Sequence, residues 1–129
     1  MNKKISIIGI GKLGLCFALN AEKNGYRILA VDINKDYIDQ LNNKKFNSDE
    51  KGVNKLLRTS TKIKLSNEVG DALKFSKNIF IFVDTPSKKN GEYDHSKIDK
   101  IIKQIKKYKL NSKLNLVIGC TVMPGYCEK

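Results

Sequence analysis

The sequence predicts an α/β fold, a doubly wound parallel β-sheet with helices on both faces. Three observations support this prediction. Short apolar runs rich in β-branched residues alternate with segments of helical periodicity through the 129 residues. A glycine-rich turn, Gly9 to Gly14, follows the first apolar run directly, and an acidic residue, Asp32, follows the second. The resulting order, β-α-β-α-(α)-β-α-β-α-β, is typical of sheets that bind ligands at the carboxyl ends of their strands.

The amino-terminal half of the chain has clear apolar patterns. Its apolar runs are short enough for buried strands, and Asn24-Gly25 supplies a stop after the first helical segment. A polar stretch at 45–52 indicates a loop. The predicted elements are strand 4–8, helix 12–24, strand 26–31, helix 34–43 and a short helix that includes Val53, Leu56 and Leu57.

The middle of the chain holds the weakest and the strongest predicted strand. Residues 62–65 form the weak strand, and Ser66 or Asn67 is expected to cap the helix that follows it. Residues 78–83 form the strong strand, which is expected to stop at Asp84-Thr85-Pro86 because proline has no amide donor. The residues that the intervening helix is expected to bury are Val69, Ala72 and Leu73.

The last predicted helix has a clean amphipathic stripe, and residues 114–119 are predicted as another buried strand. Asp94 is expected to cap this helix. His95, the only histidine, lies at the predicted helix start, where we interpret it as a surface or capping residue in preference to a general acid or base. The stripe consists of Ile98, Ile101, Ile102 and Ile105.

The composition indicates a globular, soluble protein and argues against several classes. Hydrophobic residues make up 40% and charged residues 29% of the chain. The net charge of +12 comes from lysines scattered along the chain, with only two arginines, so nucleic-acid binding is disfavoured. No apolar run reaches the length of a membrane helix and no signal-peptide pattern is present, so we expect a cytoplasmic protein without membrane contact.

The three cysteines, Cys16, Cys120 and Cys127, are an odd number without metal-ligand spacing. This usage fits a reduced compartment and predicts no metal site. We interpret each cysteine as a small, partly buried residue and not as a nucleophile.

The glycine-rich turn has the spacing of a dinucleotide-binding fingerprint. Gly9 permits a tight turn, Gly11 lets the backbone approach a pyrophosphate, and Gly14 lets the helix pack close to the strand. Asp32 lies 18 residues after Gly14, where a carboxylate accepts ribose hydroxyls and repels a 2′-phosphate, so NAD is favoured over NADP. Lys12 lies either on a phosphate or in solvent. The alternative is an α/β domain with a glycine-rich turn and an incidental Asp32.

Four segments together carry a resemblance over essentially all of the chain. They are Ile7-Ile-Gly-Ile-Gly-Lys-Leu-Gly14, Val31-Asp-Ile-Asn34, Thr85-Pro86 and Thr121-Val-Met-Pro-Gly125. In this order and spacing the chain resembles the amino-terminal NAD-binding domain of the UDP-glucose/GDP-mannose dehydrogenase family. The resemblance implies a Rossmann-type sheet of which about five of six strands are present.

The resemblance also implies a nucleotide-sugar 6-dehydrogenase of polysaccharide biosynthesis. Such enzymes oxidise the C6 alcohol of a nucleotide sugar, UDP-glucose or similar, to a carboxylate with NAD as acceptor. Thr121 would be a catalytic residue near the nicotinamide that orients the reacting hydroxyl or a water, although it also fits a role in tying the turn to the backbone. The cofactor contacts that the resemblance implies are Gly9, Gly11, Lys12, Leu13, Gly14, Asp32, Val83, Thr85, Ser87 and Thr121.

The chain departs from the family pattern at several positions. Lys12 and Leu13 replace a commoner Tyr-Val pair, and Cys120 replaces the usual serine before the threonine. Tyr37 stands where the family often has a basic residue near the adenosine ribose. The proline that commonly follows Glu50 is missing.

Residues 1–129 are predicted to form one NAD-binding Rossmann domain, incomplete at its carboxyl-terminal end. By the resemblance, the central helix and the sugar-nucleotide domain with the catalytic cysteine are absent, and the chain is expected to be a fragment. We expect it to bind NAD without turning over substrate alone, and the full-length enzyme to be a homodimer. The alternatives are another dehydrogenase class, of the β-hydroxyacid or 6-phosphogluconate type, and a non-enzymatic nucleotide-binding module.

Overall fold

Five strands form one parallel sheet in the computed structural model, which describes residues 3–108 and 113–128. The strands are β1 (Lys4–Ile8), β2 (Arg27–Val31), β3 (Ile63–Ser66), β4 (Asn78–Ile81) and β5 (Asn115–Ile118). The helices are α1 (Lys12–Lys23), α2 (Lys35–Asn42), α3 (Val53–Thr59), α4 (Val69–Phe75) and α5 (Ser96–Lys107), followed by a short 3-10 turn (Tyr126–Glu128). The strands lie in the order β3-β2-β1-β4-β5, which confirms the predicted doubly wound, Rossmann-type α/β class.

The direction of sheet growth reverses at β1. The chain builds outward from β1 through β2 to β3, returns, and builds outward again through β4 to β5 on the other side. In the register of the sheet, Ile8 at the end of β1 lies beside Val31 of β2 and Ile81 of β4. The residues that follow these strand ends therefore emerge together at the edge where parallel sheets bind ligands.

Side chains of β1 alternate between two hydrophobic clusters. Ile5 and Ile7 pack with residues of α1, α2 and α3, whereas Ile8 packs with residues of α4 and α5. Burial of each such isoleucine contributes about 1.5–3 kcal/mol to folding. The buried hydroxyl of Ser6 donates to the carbonyl oxygen of Ala72 at 2.7 Å and ties β1 to α4. Packing on both faces thus fixes the strand that precedes the glycine-rich turn.

The start of α4 differs from the prediction. Glu68 is the residue before the helix and makes no side-chain cap, so neither Ser66 nor Asn67 is the N-cap. Ser66 is the last residue of β3, and its hydroxyl donates to Asp71 Oδ2 at 2.6 Å and accepts the Glu68 N–H at 3.0 Å. The serine binds the turn from inside the strand because β3 runs one residue further than predicted. The predicted buried residues of α4, Val69, Ala72 and Leu73, are buried.

The start of α5 differs from the prediction by one residue, because the N-cap residue is His95 and not Asp94. Asp94 nevertheless binds the start of the helix: its Oδ1 accepts the N–H of Ser96, the first helical residue, at 2.9 Å, and this bond lowers the pKa of Asp94 below its usual value. His95 itself makes no side-chain cap there. The stripe residues Ile98, Ile101 and Ile105 are buried and Ile102 is half-buried.

Within residues 3–108 and 113–128, no helix is long and apolar enough to cross a bilayer.

The last two strands depart from the prediction. β4 ends at Ile81 and not at Val83, because both of its partners end there: Ile8 of β1 and Ile118 of β5 lie opposite Ile81. β5 was predicted to be buried, yet Leu116 is 39% exposed and Val117 is 46% exposed. Among the residues described, β5 pairs with β4 alone and lies at the sheet edge. Its apolar pattern predicts a strand correctly but carries no information on how many neighbours cover that strand.

Candidate functional site

The turn after β1 is so tight that two of its positions require glycine. Gly9 has a φ of +92°, and a β-carbon there would lie 2.3 Å from the carbonyl oxygen of Phe82. A β-carbon on Gly14, in the first turn of α1, would lie 2.1 Å from the carbonyl oxygen of Gly9. The Gly9 N–H donates to the carbonyl oxygen of Val31 at 2.8 Å. These contacts hold the start of α1 against the carboxyl ends of β1 and β2.

Gly11 is the N-cap residue of α1 and borders open space. A β-carbon on it would meet no atom within 4 Å, and its φ of −68° is accessible to any residue. No side chain caps α1 in the part of the chain that the structure describes. The first N–H groups of α1 therefore remain available, and their partial positive charge favours an anion. The small residue at position 11 keeps the approach to these groups clear.

Asp32 follows β2 and is bonded to the glycine-rich turn. Its Oδ2 accepts the Ile10 N–H at 3.1 Å, and its Oδ1 accepts the Asn34 N–H at 3.0 Å. Each oxygen of a carboxylate has two acceptor sites, so both oxygens can accept a further hydroxyl. The structure thus places a half-buried carboxylate directly beside the turn.

Tyr37 lies at the start of α2, shortly after Asp32 in the sequence, and also contacts the glycine-rich turn. Its hydroxyl donates to the carbonyl oxygen of Ile10 at 2.6 Å. Burial, followed by the nearby negative charge of Asp32, raises the pKa of Tyr37 from 10.0 to about 12. The sequence marks Tyr37 only as a departure from the family pattern and does not reveal this contact.

Three exposed side chains flank the turn. Lys12 lies 3.5 Å from Glu50 Oε1, so its ammonium group pairs with the loop before α3, which neither of the two sequence interpretations anticipates. Such an exposed ion pair contributes about 0–1 kcal/mol. Leu13 is 62% exposed and Ile33, directly after Asp32, is 82% exposed. Exposed apolar side chains at a ligand edge are suited to contact a flat ring, and Ile33 was not singled out from the sequence.

The segment after β4 packs on the turn through Phe82 and Val83. The nearest side-chain atom to a β-carbon on Gly9 would be Val83 Cγ1, at 2.9 Å. A β-carbon on Gly119, after β5, would lie 2.2 Å from Phe82 Cε1, so Phe82 lies beside the turn with its carbonyl group and beside the end of β5 with its ring. Thr85 is half-buried and Ser87 is exposed. The placement of Phe82 between the turn and β5 has no signal in the sequence, where it reads as one more strand residue.

Thr121 is exposed on a loop that is anchored on either side of it. Before it, the Cys120 thiol donates to the carbonyl oxygen of Ile81 at 3.3 Å, and burial raises the pKa of this thiol. After it, the Met123 N–H donates to His95 Nε2 at 3.1 Å. The loop that presents Thr121 is thus attached to β4 and to the start of α5. His95 serves this loop through its side chain, which its predicted role at the helix start did not include.

A second contact holds the same loop to α5. The Tyr126 hydroxyl donates to Asp99 Oδ1 at 2.5 Å, and the Tyr126 ring lies 4.2 Å from that of His95, measured between centroids. Burial, together with the hydrogen bond to Asp99, raises the pKa of Tyr126 from 10.0 to about 12. The phenol keeps its proton at neutral pH, as an unperturbed tyrosine does, and the raised pKa extends this state to higher pH.

Comparisons with known proteins agree with this geometry. The model of the UDP-glucose/GDP-mannose dehydrogenase family, NAD binding domain, matches residues 3–129. The chain is 32% identical over 128 residues to a GDP-mannose 6-dehydrogenase of Pseudomonas syringae pv. syringae. This alignment covers 95% of this chain and 29% of that relative. The chain is also 32% identical over 131 aligned positions to a UDP-glucose 6-dehydrogenase of Rickettsia conorii, with 96% and 29% covered.

A solved structure gives the same result. The chain superposes on GDP-mannose dehydrogenase from Pseudomonas aeruginosa, crystallised as a ternary complex, with a TM-score of 0.88 and 30% identity. The match covers 100% of this chain and 30% of that one. The predicted resemblance is confirmed, and the other dehydrogenase classes and the non-enzymatic module are not favoured. The chain spans about 29% of the length of the curated relatives.

Proposed function

We propose that the edge of the sheet formed by the ends of β1, β2 and β4 holds NAD. The premise is that this chain belongs to the UDP-glucose/GDP-mannose dehydrogenase family and covers its NAD-binding domain. The observation that carries this proposal is the hydrogen bond from the Ile10 N–H to Asp32 Oδ2. This bond keeps the carboxylate next to Gly11, and the space around the α-carbon of Gly11 is open. A site for an anion and an acceptor for a diol thus lie side by side, as an adenosine diphosphate requires.

The residues present fit this cofactor. The N–H groups at the start of α1, from Gly11 to Leu13, would meet the pyrophosphate, and Asp32 would accept the ribose hydroxyls. The negative charge of Asp32 disfavours a 2′-phosphate, which selects against NADP. When bound, NAD supplies the hydride acceptor, while the protein binds and orients it. The further contacts that we assign are Gly9, Lys12, Gly14, Val83, Thr85, Ser87 and Thr121.

We assign Thr121 to the nicotinamide end of the site. Its side chain is exposed after β5, and its loop is fixed by Cys120 and His95. A hydroxyl held in this way can orient a substrate alcohol or a water by one hydrogen bond. The alternative, a threonine that ties the turn to the backbone, predicts that Thr121→Val lowers stability. Our assignment predicts unchanged stability.

The relatives support a proposal for the substrate and the reaction of the protein that contains this domain. The two curated relatives are a GDP-mannose 6-dehydrogenase and a UDP-glucose 6-dehydrogenase. We propose that the protein containing this domain oxidises the C6 alcohol of a nucleotide sugar to a carboxylate and acts as a homodimer. We also propose that the 129-residue chain alone binds NAD without turning over a nucleotide sugar, since the family match is to the NAD-binding domain.

Calorimetric titration of the 129-residue chain tests the cofactor assignment. NAD should bind, NADP should bind more weakly, and Asp32→Asn should weaken NAD binding by roughly tenfold or more, because a charge-assisted hydrogen bond contributes about 1.5–3 kcal/mol. Asp39→Asn, on the exposed side of α2, is the matched control and should bind like the unsubstituted chain. Equal affinity for NAD and NADP would contradict the role of Asp32. Steady NADH production by the chain with UDP-glucose or GDP-mannose would contradict the absence of turnover.

A further inference from the structure

Both polar groups of the Ile10 backbone are bonded to side chains that follow β2. The Ile10 N–H donates to Asp32 Oδ2 at 3.1 Å, and the Ile10 carbonyl oxygen accepts the Tyr37 hydroxyl at 2.6 Å. The Ile10 side chain itself is fully buried. The residue before Gly11 is therefore held at its N–H, its C=O and its side chain.

The bond from Tyr37 fixes a direction as well as a position. A peptide group is planar and trans, so the Ile10 C=O and the Gly11 N–H belong to one rigid unit and point in opposite directions. When Tyr37 holds the carbonyl oxygen on one side, the Gly11 N–H must point to the other side. Gly11 cannot impose this orientation itself, because glycine lacks the β-carbon that restricts the backbone of other residues.

Tyr37 is well suited to act as a fixed donor. Its N–H is bonded to the cap residue Asn34 at 3.1 Å, and its ring meets the edge of Phe46 with centroids 5.0 Å apart. A tyrosine hydroxyl with the ordinary pKa of about 10 is already protonated at neutral pH, and burial raises the pKa of Tyr37 further, so the hydroxyl stays a donor. The ring and the backbone of Tyr37 are thus both held before any ligand arrives.

We propose that Tyr37 is a positioning residue for the cofactor diphosphate: its hydroxyl orients the Ile10–Gly11 peptide so that the Gly11 N–H is presented to the pyrophosphate. This inference rests on the proposed function and deepens it, since it assigns the preorganisation of the phosphate site to a residue that touches no phosphate. The free energy of NAD binding then has a diphosphate part, to which Tyr37 contributes, and an adenosine part, to which it does not. Diphosphate ligands depend on Tyr37, whereas adenosine alone does not.

The test compares Tyr37→Phe with Tyr26→Phe, two substitutions that each remove one hydroxyl. Tyr26 is half-buried and precedes β2, at the opposite end of this strand from Asp32, which makes it the matched control. Titration with NAD, ADP and adenosine should give roughly fivefold weaker binding of NAD and ADP to Tyr37→Phe, as expected for one hydrogen bond. Adenosine should bind equally to Tyr37→Phe and to the unsubstituted chain. The Tyr26→Phe variant should bind all three like the unsubstituted chain.

Amide NMR spectra without any ligand provide a second measurement. Loss of the Tyr37 hydroxyl should shift the Gly11 amide resonance, and the Tyr26→Phe variant should leave it in place. Unchanged NAD and ADP affinity in Tyr37→Phe, an equal loss for adenosine, or an unmoved Gly11 amide would each overturn the inference. If the unsubstituted chain does not bind NAD, the proposed function fails, while the Gly11 amide still reports whether Tyr37 orients the peptide.

Discussion

Two glycines of the same turn should respond oppositely to alanine. Gly11→Ala introduces a β-carbon that meets no atom within 4 Å, at a φ of −68°. A glycine replaced by alanine without strain stabilises a protein by about 0.4–1 kcal/mol, because the unfolded chain loses freedom. The new β-carbon nevertheless occupies the approach to the start of α1. We therefore expect Gly11→Ala to keep or raise stability and to weaken NAD binding by roughly 10- to 100-fold, the loss of one charge-assisted hydrogen bond.

Gly14→Ala should instead destabilise the fold. Its β-carbon would lie 2.1 Å from the carbonyl oxygen of Gly9, and neither can rotate away, because the β-carbon is bonded directly to Cα and the oxygen belongs to the backbone. Overpacking of this kind costs about 1–3 kcal/mol. Alanine recovers about 1 kcal/mol of helix propensity. A contact as short as 2.1 Å with a backbone oxygen lies at the upper end of the overpacking range, so the expected net loss is roughly 2 kcal/mol, which lowers the melting temperature of a domain of this size by roughly 6–10 °C.

Two measurements on both variants decide the matter: thermal unfolding followed by circular dichroism, and calorimetric titration with NAD. We expect a crossed pattern, in which Gly11→Ala loses affinity for NAD and Gly14→Ala loses stability. Undiminished NAD affinity in Gly11→Ala would refute the placement of the pyrophosphate at the start of α1. Full stability in Gly14→Ala would refute the close approach of α1 to the turn.

Two further predictions concern the loop that carries Thr121 and the half-buried phenols of Tyr37 and Tyr126. His95→Leu removes the acceptor of the Met123 N–H, so it should reduce the unfolding free energy by about 1 kcal/mol and speed hydrogen exchange of the Met123 amide. His95→Gln retains an acceptor and should change neither quantity. Equal exchange rates of the Met123 amide in the two variants would contradict this expectation. The pKa values of Tyr37 and Tyr126 are raised from 10.0 to about 12, so their contribution to stability is fully present below pH 10.0 and is lost as the pH rises through about 12. Urea unfolding from about pH 9 to about pH 12 checks the sign, and a constant midpoint would count against it.

The features that the sequence predicts well are those with local causes. The alternation of β4 and α5 with neighbouring elements follows from hydrophobic period, which is readable in a short window. The turn from Gly9 to Gly14 is readable because a positive φ and a close backbone approach exclude other residue types at fixed spacing. Asp32 is readable because a strand end brings it to the same edge as this turn.

The misassignments have non-local causes. β5 is predicted as buried, yet the exposure of Val117 depends on how many strands and helices surround β5. β4 stops at Ile81 because both of its partners stop there, which no property of residues 82 and 83 reveals. The N-cap of α4 shifted for a related reason, since β3 extends to include Ser66.

The sequence alone was enough to predict the sheet class and the glycine-rich turn with Asp32. The resemblance to the family needed two further segments, Thr85-Pro86 and Thr121-Val-Met-Pro-Gly125. The side chains that hold this site in shape could be identified only in the folded chain. Tyr37 reaches Ile10 across 27 positions of the chain, and His95 accepts the Met123 N–H across 28. The physical reason is that backbone preferences act over a few residues, whereas hydrogen bonds between distant segments exist only after the sheet brings those segments together.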